Sequence, residues 1–189
     1  MGLLYTGLDE NLMFVLGLTS VDCILDQMKD NQPGTYAAVT FDTHTNKEIH
    51  NYTTATSLPN AVRLDQLHTT LLYSRKHLPD YKPHGIMMAM YGTPVGLEVW
   101  PSKGSERCLL LKYDCPELCA RHAYLMSTHN ATYDFHDYVP HVTLSYDIGK
   151  LDISALPDVR EYVKAIVIVN EYSRELILDW ASTILINKS

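Results

Sequence analysis

Two copies of one six-residue pattern place the strongest constraint on how this chain folds. The segments HTTLLY (68–73) and HVTLSY (141–146) both read H-x-T-L-x-Y. Side chains alternate across a β-strand, so each histidine shares a face with its threonine and the two leucines point to the opposite face. The same alternation puts Tyr73 and Tyr146 on the leucine face, where they are expected to pack in a core. If the two strands are neighbours, two imidazoles and two hydroxyls meet in one cleft.

The candidate catalytic groups are therefore His68, Thr70, His141 and Thr143. Histidine, with an ordinary pKa near ~6.5, accepts or donates a proton close to neutral pH. A pair of them can deprotonate a nucleophile and protonate a leaving oxygen at a phosphodiester without a metal. The threonine hydroxyls can donate to the non-bridging oxygens as negative charge develops there. One His-x-Thr arises often by chance, but two copies that share Leu and Tyr at fixed offsets favour a catalytic pair over packed histidines.

The remaining patterns predict an α+β fold in which strands outnumber helices. A breaker, Asn31-Gln32-Pro33-Gly34, separates residues 1–33, interpreted as an N-terminal extension, from a single domain over 34–189. Helices are predicted at 45–56 and 116–129. Strands are predicted at 35–41, 67–74, 85–91, 95–100, 107–113, 141–146, 163–170 and 175–186.

Charge and hydropathy narrow the class of partner. The formal charge is −7, which argues against sequence-blind binding of long nucleic acids, because that binding depends on many Lys and Arg contacts to phosphates. The negative net charge does not exclude a small phosphate ligand held in a local pocket. No apolar run approaches the ~20 residues of a membrane span, and Asp9 and Glu10 precede the run 12–18 where a secretory leader carries basic residues. We expect a cytoplasmic protein with no membrane partner.

One group of side chains raises the question of a metal. Cys115, Cys119 and His122 would share a helix face, and all three residue types bind zinc. Small cysteines more often pack a helix against a core, and no fourth ligand is evident in the sequence. We therefore expect neither a metal nor another cofactor.

The two H-x-T strands resemble those of the two-histidine (2H) phosphoesterase superfamily, in which they line a cleft between two pseudo-symmetric lobes of antiparallel sheet with flanking helices. Four blocks are similar, more specifically, to the bacteriophage anti-CBASS protein family: LHTTLLYSRKHLPDYKP (67–83), TPVGLEVW (93–100), RHAYLMSTHNATYDF (121–135) and YVPHVTLSYDI (138–148). The resemblance implies an enzyme that hydrolyses the cyclic di- or trinucleotide messengers of a bacterial immune system. It would act in the cytoplasm of the infected host and prevent the cell's abortive death.

Carried over to this sequence, the resemblance implies that His68, Thr70, His141 and Thr143 form the catalytic tetrad. It also implies three substrate-binding residues, Tyr36, Trp100 and Glu171. An aromatic face can stack on a nucleobase, for ~1–3 kcal/mol. A carboxylate can accept a hydrogen bond from the exocyclic amine of a base.

Three other functions remain open at this point. The same tetrad would serve a phosphodiesterase that opens 2′,3′-cyclic phosphates on RNA ends. A protein that binds cyclic nucleotides without cutting them needs the cleft but no catalysis. A zinc-dependent hydrolase is the least favoured. Base preference, ring size, oligomeric state and the division of roles between the histidines are not determined by the sequence.

Overall fold

The part of the chain that the structure describes contains six strands, three α-helices and two short 3-10 helices. The computed structural model describes residues 32–101, 106–135 and 137–176. Most of the predicted extension (1–33) and of the last predicted strand (175–186) therefore lies outside the described residues. In chain order the elements are β1 (Thr35–Phe41), α1 (Thr43–Ala55), β2 (Thr69–Ser74), β3 (Gly85–Pro101), β4 (Arg107–Asp114), α2 (Pro116–His129), β5 (His141–Ser145), α3 (Val159–Tyr162) and β6 (Ile166–Glu175).

Both predicted helices are present, and local chemistry explains where they begin and end. The side chain of Asp42 accepts a hydrogen bond from the Thr45 backbone N–H at 2.7 Å and so caps α1. Pro116 occupies the first turn of α2, where its missing N–H costs nothing. This helix ends at Asn130, which adopts the left-handed conformation common at helix C-termini (φ 49°).

The long strand β3 corrects one prediction and joins the two halves of the sheet. The sequence predicted two strands, at 85–91 and 95–100, but the structure has one continuous strand. Pro94 does not interrupt it, because the missing donor falls beside a bulge, where the ladder is already irregular. The first half of β3 pairs with β6 and the second half with β4. At the changeover, a Cβ on Gly92 would clash with the Tyr113 ring, so only glycine fits.

All the strands form one antiparallel sheet in the order β2-β1-β6-β3-β4-β5. With helices flanking this sheet, the fold is α+β, as predicted. The sheet divides at the middle of β3 into two lobes. The first lobe contains β2, β1, β6 and the first half of β3, and the second contains the other half with β4 and β5. Each lobe carries one H-x-T strand, and these two strands are the opposite edges of the sheet.

The sheet curves so far that its two edges meet. The Thr69 hydroxyl on β2 donates to the backbone oxygen of His141 on β5 at 2.7 Å. Just before β2, the Val62 N–H donates to the oxygen of Leu144 at 2.8 Å. These bonds close the gap between strands that are not ladder neighbours, so the two histidine motifs approach each other.

The two faces of the sheet have different roles. One face and the helices bury a single large core, which includes Val39, Leu111, Leu118 and Ile168. We call the opposite side the cleft face. On the first lobe it carries a small cluster of Tyr36, Ala38 and Leu176, against which Tyr73 and Tyr172 pack. In the part of the chain that the structure describes, no helix is both long and apolar enough to cross a membrane.

Candidate active site

Both motif strands contain a β-bulge at the same position. In β2, Ala38 lies opposite Thr70 and Ala37 opposite Leu72, so the intervening Leu71 is the extra residue. A bulge adds one residue to one strand only and therefore shifts the alternation of side chains beyond it.

The second motif repeats this arrangement. In β5, Thr143 lies opposite Leu110 and Ser145 opposite Leu109, which makes Leu144 the extra residue. In each motif the bulged residue is thus the leucine of H-x-T-L-x-Y. The two lobes share the irregularity as well as the sequence pattern.

The bulge in β2 moves Tyr73 to the cleft face. Tyr73 packs against the cluster that contains Tyr36 and Ala38. Tyr146, which also touches the main core, is an electrostatic neighbour of Tyr36 and Arg174. The prediction that the tyrosines pack on the leucine face was wrong for Tyr73, because it assumed uninterrupted alternation. Tyr146 does pack against the main core that contains both motif leucines.

The two imidazoles are held in the same way. Nδ1 of His68 lies 2.7 Å from the backbone oxygen of Gln66, and Nδ1 of His141 lies 2.7 Å from that of Val139. A carbonyl oxygen only accepts hydrogen bonds, so each Nδ1 carries the proton. In the neutral ring the lone pair is then on Nε2, which leaves that atom to exchange protons with a ligand.

Burial lowers the pKa of both histidines below the ordinary value of 6.5. The carbonyl bonds act in the opposite direction but are the smaller effect. The positive charge of His68 further lowers the pKa of His141, which shows that the two groups are electrostatic neighbours. At neutral pH both rings are therefore mainly in the form that accepts a proton.

On the first lobe, Tyr36 connects the threonine and the histidine. Its hydroxyl lies 3.0 Å from the Thr70 Oγ1, and its ring lies edge-on to the His68 ring at a centroid separation of 6.3 Å. Burial raises the pKa of Tyr36, so the phenol stays protonated and can donate to Thr70. The guanidinium of Arg174 covers one face of the Tyr36 ring, 4.7 Å from its centroid. Tyr36, predicted to bind the substrate, thus lies beside the predicted tetrad. Its contacts are with Thr70, His68 and Arg174, and Arg174 covers one of its ring faces.

On the second lobe, Trp100 packs against His141 with ring centroids 4.7 Å apart. Its indole N–H donates to the Glu98 carboxylate at 2.7 Å, and Lys112 holds the other carboxylate oxygen at 2.6 Å. The indole is therefore fixed beside the His141 imidazole while remaining partly exposed. The Thr143 side chain points to the same face and makes no hydrogen bond to the described residues.

Sequence reasoning missed Thr69, which joins the two lobes at the site. It occupies the x position of the first motif and is completely buried, and its hydroxyl accepts from the Tyr113 hydroxyl at 2.8 Å. It donates in turn to His141, as described above. The available signal was a contrast between the copies: Val142 stands at the same position of the second motif. A buried hydroxyl at a core position requires partners, whereas valine does not.

Glu171 does not lie at the cleft. It is opposite Val39, a core residue, and so faces the helices. Its side chain is fully buried, and its two oxygens accept bonds of 2.9 and 3.1 Å from Arg121 and one of 2.6 Å from the Tyr81 hydroxyl. In this structure the residue forms a buried ion pair, and its carboxylate is enclosed on the face opposite the tetrad. The prediction of a base-reading carboxylate at Glu171 does not fit this geometry.

Two of the three side chains considered for a metal, those of His122 and Cys115, are buried. Nδ1 of His122 bonds to the backbone oxygen of Leu71 at 2.7 Å, and its ring stacks on Tyr138 with centroids 4.1 Å apart. Cys115 is buried in the core beside it. Within residues 32–101, 106–135 and 137–176, no three His, Cys, Asp or Glu side chains converge as a metal-binding group.

Comparison with solved structures identifies the fold. The chain superposes on apo E. coli LigT with a TM-score of 0.55, covering 75% of this chain and 86% of LigT at 15% sequence identity. LigT complexed with 3′-AMP gives a TM-score of 0.50 over the same shares, at 14% identity. At this identity the likeness concerns the fold, which is that of the 2H phosphoesterases.

Sequence comparison then identifies the family. Residues 33–183 match the family model described as anti-CBASS protein Acb1. The Acb1 protein of Acinetobacter phage Ac42 is 38% identical over 154 residues, which are 82% of this chain and 98% of that protein. The Acb1 protein of Enterobacteria phage T4 is 36% identical over 156 residues, 82% of this chain and 96% of that protein. The chain belongs to the anti-CBASS protein Acb1 family.

Proposed function

We propose that this protein is a metal-independent phosphodiesterase that hydrolyses the 3′–5′ bonds of cyclic di- or trinucleotides. By destroying these signals in the cytoplasm of the infected bacterium, it would let a phage evade CBASS defence. In this proposal, residues 34–189 form the catalytic domain and residues 1–33 extend it. Family membership supports the biological role, and the LigT-like fold supports the reaction class.

The observation that carries the proposal is the matched pair of imidazoles. Each is on a curved-in edge of the sheet, each has Nδ1 anchored on a carbonyl two residues earlier, and the Thr69 bond links their strands. With one Nε2 atom on each side of a phosphate, one histidine can take the proton of the nucleophile while the other gives a proton to the leaving oxygen. A packing role would not require the same tautomer in both copies.

The proposed reaction starts at a ribose 2′-hydroxyl. One neutral histidine takes its proton on Nε2, and the 2′-oxygen attacks the adjacent phosphorus. The bond from phosphorus to the 5′-oxygen breaks, and the other histidine, protonated, gives its Nε2 proton to that oxygen. The product is a linear oligonucleotide with a 5′-hydroxyl and a 2′,3′-cyclic phosphate, which water can open to a 3′-phosphate.

The neighbouring side chains have distinct roles in this reaction. The Thr70 and Thr143 hydroxyls donate to the non-bridging oxygens, where charge accumulates in the transition state. Tyr36 orients Thr70 through the 3.0 Å contact between their hydroxyls. Trp100, fixed by Glu98, offers the free part of its indole to a base of the substrate.

Two alternatives share this geometry and differ in outcome. An RNA-end 2′,3′-cyclic phosphodiesterase would use the same four groups on a different substrate. A cyclic-nucleotide sponge would bind without turnover, although it would have no need of two anchored imidazoles. The complex of LigT with 3′-AMP shows that one protein of this fold binds a mononucleotide, which gives the first alternative some support.

A substrate panel tests the proposal. Purified protein is incubated with cyclic di- and trinucleotides and with RNA that ends in a 2′,3′-cyclic phosphate, with and without EDTA, and the products are separated by chromatography. We expect linear products from the cyclic substrates at equal rates with and without EDTA. Recovery of unchanged cyclic nucleotide would indicate a sponge, and cleavage of the RNA ends alone would indicate the first alternative.

The nucleophile is tested separately. A cyclic dinucleotide that lacks the 2′-hydroxyl beside one phosphate should keep that bond intact while its other bond is cut. Cleavage at the deoxy position at the normal rate would show that water, and not the ribose, attacks the phosphorus.

A further inference from the structure

Arg174 is held at the cleft in a defined position. It lies directly opposite Tyr36 in the β1–β6 ladder, and its guanidinium is 4.7 Å from the centre of the Tyr36 ring. A guanidinium over an aromatic face is stabilised by the ring quadrupole, so an exposed arginine gains a preferred orientation there. Tyr36 is also the residue that contacts Thr70 and His68. The cation is therefore connected to the catalytic groups of the first lobe.

Among the described strand residues on this part of the cleft face, only Arg174 carries a full charge. The ladder register gives the strand residues of β1, β2 and β6 that share the face: Tyr36, Ala38, Thr40, Thr70, Tyr73, Asn170, Tyr172 and Arg174. None of the others is an acid or a base of full charge. Within the described ranges, no carboxylate forms an ion pair with Arg174.

The second lobe shows the contrasting case. Lys112, which lies opposite His141, is also on the cleft face, but the Glu98 carboxylate neutralises it at 2.6 Å. In a chain of net charge −7, a cation that has no carboxylate partner among the described residues and lies beside the proposed catalytic groups is a place where an anion would bind.

The position of Arg174 suits a phosphate beside the reacting one. Its guanidinium lies 4.7 Å from the centre of the Tyr36 ring, and that ring lies edge-on to the His68 ring with centroids 6.3 Å apart, so Arg174 is on the side of the first histidine. His141 lies on the other lobe, against Trp100. A phosphate held between the two histidines is thus flanked by Arg174 on the first-lobe side.

We propose that Arg174 binds the second, non-scissile phosphate of a cyclic oligonucleotide while the histidines act on the first. This inference rests on the proposed function and adds the feature that selects the substrate: a second phosphate at a fixed distance across a small ring. The planar guanidinium fork suits two phosphate oxygens, and its position on Tyr36 prepares it for the contact. A ligand with a single phosphodiester lacks the second phosphate that the Arg174 guanidinium would bind.

Binding measurements on a turnover-blocked background test the proposal. The parent is His141→Ala, which leaves the first lobe intact, and the probes are cyclic di-AMP and the linear dinucleoside monophosphate ApA. Titration calorimetry should show that adding Arg174→Gln weakens cyclic di-AMP binding by roughly 10- to 100-fold, the value of a charge-assisted contact. ApA binding should change by less than about 3-fold, and Arg174→Lys should give an intermediate loss.

A matched control removes the same charge elsewhere. Arg160 is exposed on α3 and pairs with Asp158, and Arg160→Gln should leave both affinities unchanged. Circular dichroism and a melting curve establish that each variant folds like the parent.

Three outcomes would overturn the inference: cyclic di-AMP affinity unchanged in Arg174→Gln, an equal loss for both probes, or no binding of cyclic di-AMP by the parent. An equal loss would mean that Arg174 serves the scissile phosphate. The proposed function is tested apart from this by turnover in the protein without substitutions. If Arg174→Gln selectively weakens cyclic di-AMP binding but the protein without substitutions shows no turnover, the role of Arg174 is supported and the phosphodiesterase proposal is contradicted.

Discussion

The hydrogen bond at Nδ1 determines which nitrogen of each imidazole can exchange a proton with a ligand. Because the carbonyls of Gln66 and Val139 only accept hydrogen bonds, both rings present Nε2 to the cleft as a base when neutral and as an acid when protonated. The same atom can therefore start as either partner in the reaction. Burial lowers the pKa of both rings, so the protonated form of each is the less populated one near neutral pH.

The first prediction concerns the pH dependence of catalysis. The acid limb of kcat/KM reports protonation of the free enzyme's base. Because burial lowers the pKa of His68 and of His141, the midpoint of that limb should lie below 6.5. Initial rates with a cyclic dinucleotide from pH 4.5 to 9 measure it. A midpoint above 6.5 would contradict the assignment of these buried histidines as the base.

The four catalytic candidates could be chosen from the sequence because the motif repeats. Glu171 could not be placed in the same way, since nothing in its local sequence shows which face of β6 is covered by α2. Its partner Arg121 is 50 residues away along the chain. The long-range ion pair depends on the packing of a helix over the sheet, which the strand pattern does not contain.

The second prediction follows from that ion pair. Glu171→Gln leaves the nearly buried Arg121 without its counter-charge and should lower the free energy of unfolding by about 3–5 kcal/mol. Urea denaturation measures the change, and Glu175→Gln, an exposed acid on the same strand, is the control with little expected effect. Unchanged stability combined with weaker nucleotide binding would show instead that Glu171 contacts the ligand.

At the scale of single elements, the bulges at Leu71 and Leu144 determine which side chains share the cleft. The positions of β1, β2, β4 and β5 and the two predicted helices follow from periodicity, and the structure agrees with them to within about two residues. It differs at β3, which is one strand where two were predicted, and at β6, which runs from Ile166 to Glu175 where 163–170 was predicted. A bulge breaks the period of two, so residues beyond it change face. Tyr73 lies just past its bulge, which explains why its predicted side was wrong although its strand was predicted correctly.

The third prediction concerns the hydroxyl that links the two motif strands. Thr69→Val keeps the volume but removes the bonds to the His141 oxygen and the Tyr113 hydroxyl, leaving two buried polar groups without this partner. Stability should fall by about 1–3 kcal/mol, and kcat should fall because the two imidazoles lose their common support. Thr69→Ser, which keeps the hydroxyl, should retain most of both. Full activity in the valine variant would show that the link is dispensable for catalysis.

For the whole molecule, the important feature is a sheet whose opposite edges meet. The sequence indicated the strands and the α+β class, but two edge strands become neighbours only through the curvature of six paired strands. Curvature arises from accumulated twist, bulges and the change of partners along β3, and none of these follows from a single segment. The prediction that the two motif strands meet in a cleft therefore depended on the resemblance to a two-lobed superfamily.

The fourth prediction is the sign of the pH dependence of stability. Burial lowers the folded-state pKa of His68, His122 and His141, so as pH falls below about 6.5 the unfolded chain binds protons first. The free energy of unfolding should therefore decrease from pH 6.5 downward, toward the lowered folded-state values. Melting temperatures from pH 7.5 to 5 measure it. The double variant His68→Asn, His141→Asn should show a shallower decrease, and an equal slope would contradict the contribution of these rings.

The central claim is that His68 and His141 act together on one phosphodiester, and single-turnover hydrolysis of a cyclic dinucleotide tests it most directly. The protein without substitutions is compared with His68→Ala and with His141→Ala, at saturating enzyme and in the presence of EDTA. Each substitution should slow ring opening by about 10²–10⁴-fold. The double variant should be little worse than either single one, because one proton transfer is of no use without the other. Ring opening within 10-fold of the normal rate in either single variant would contradict the account.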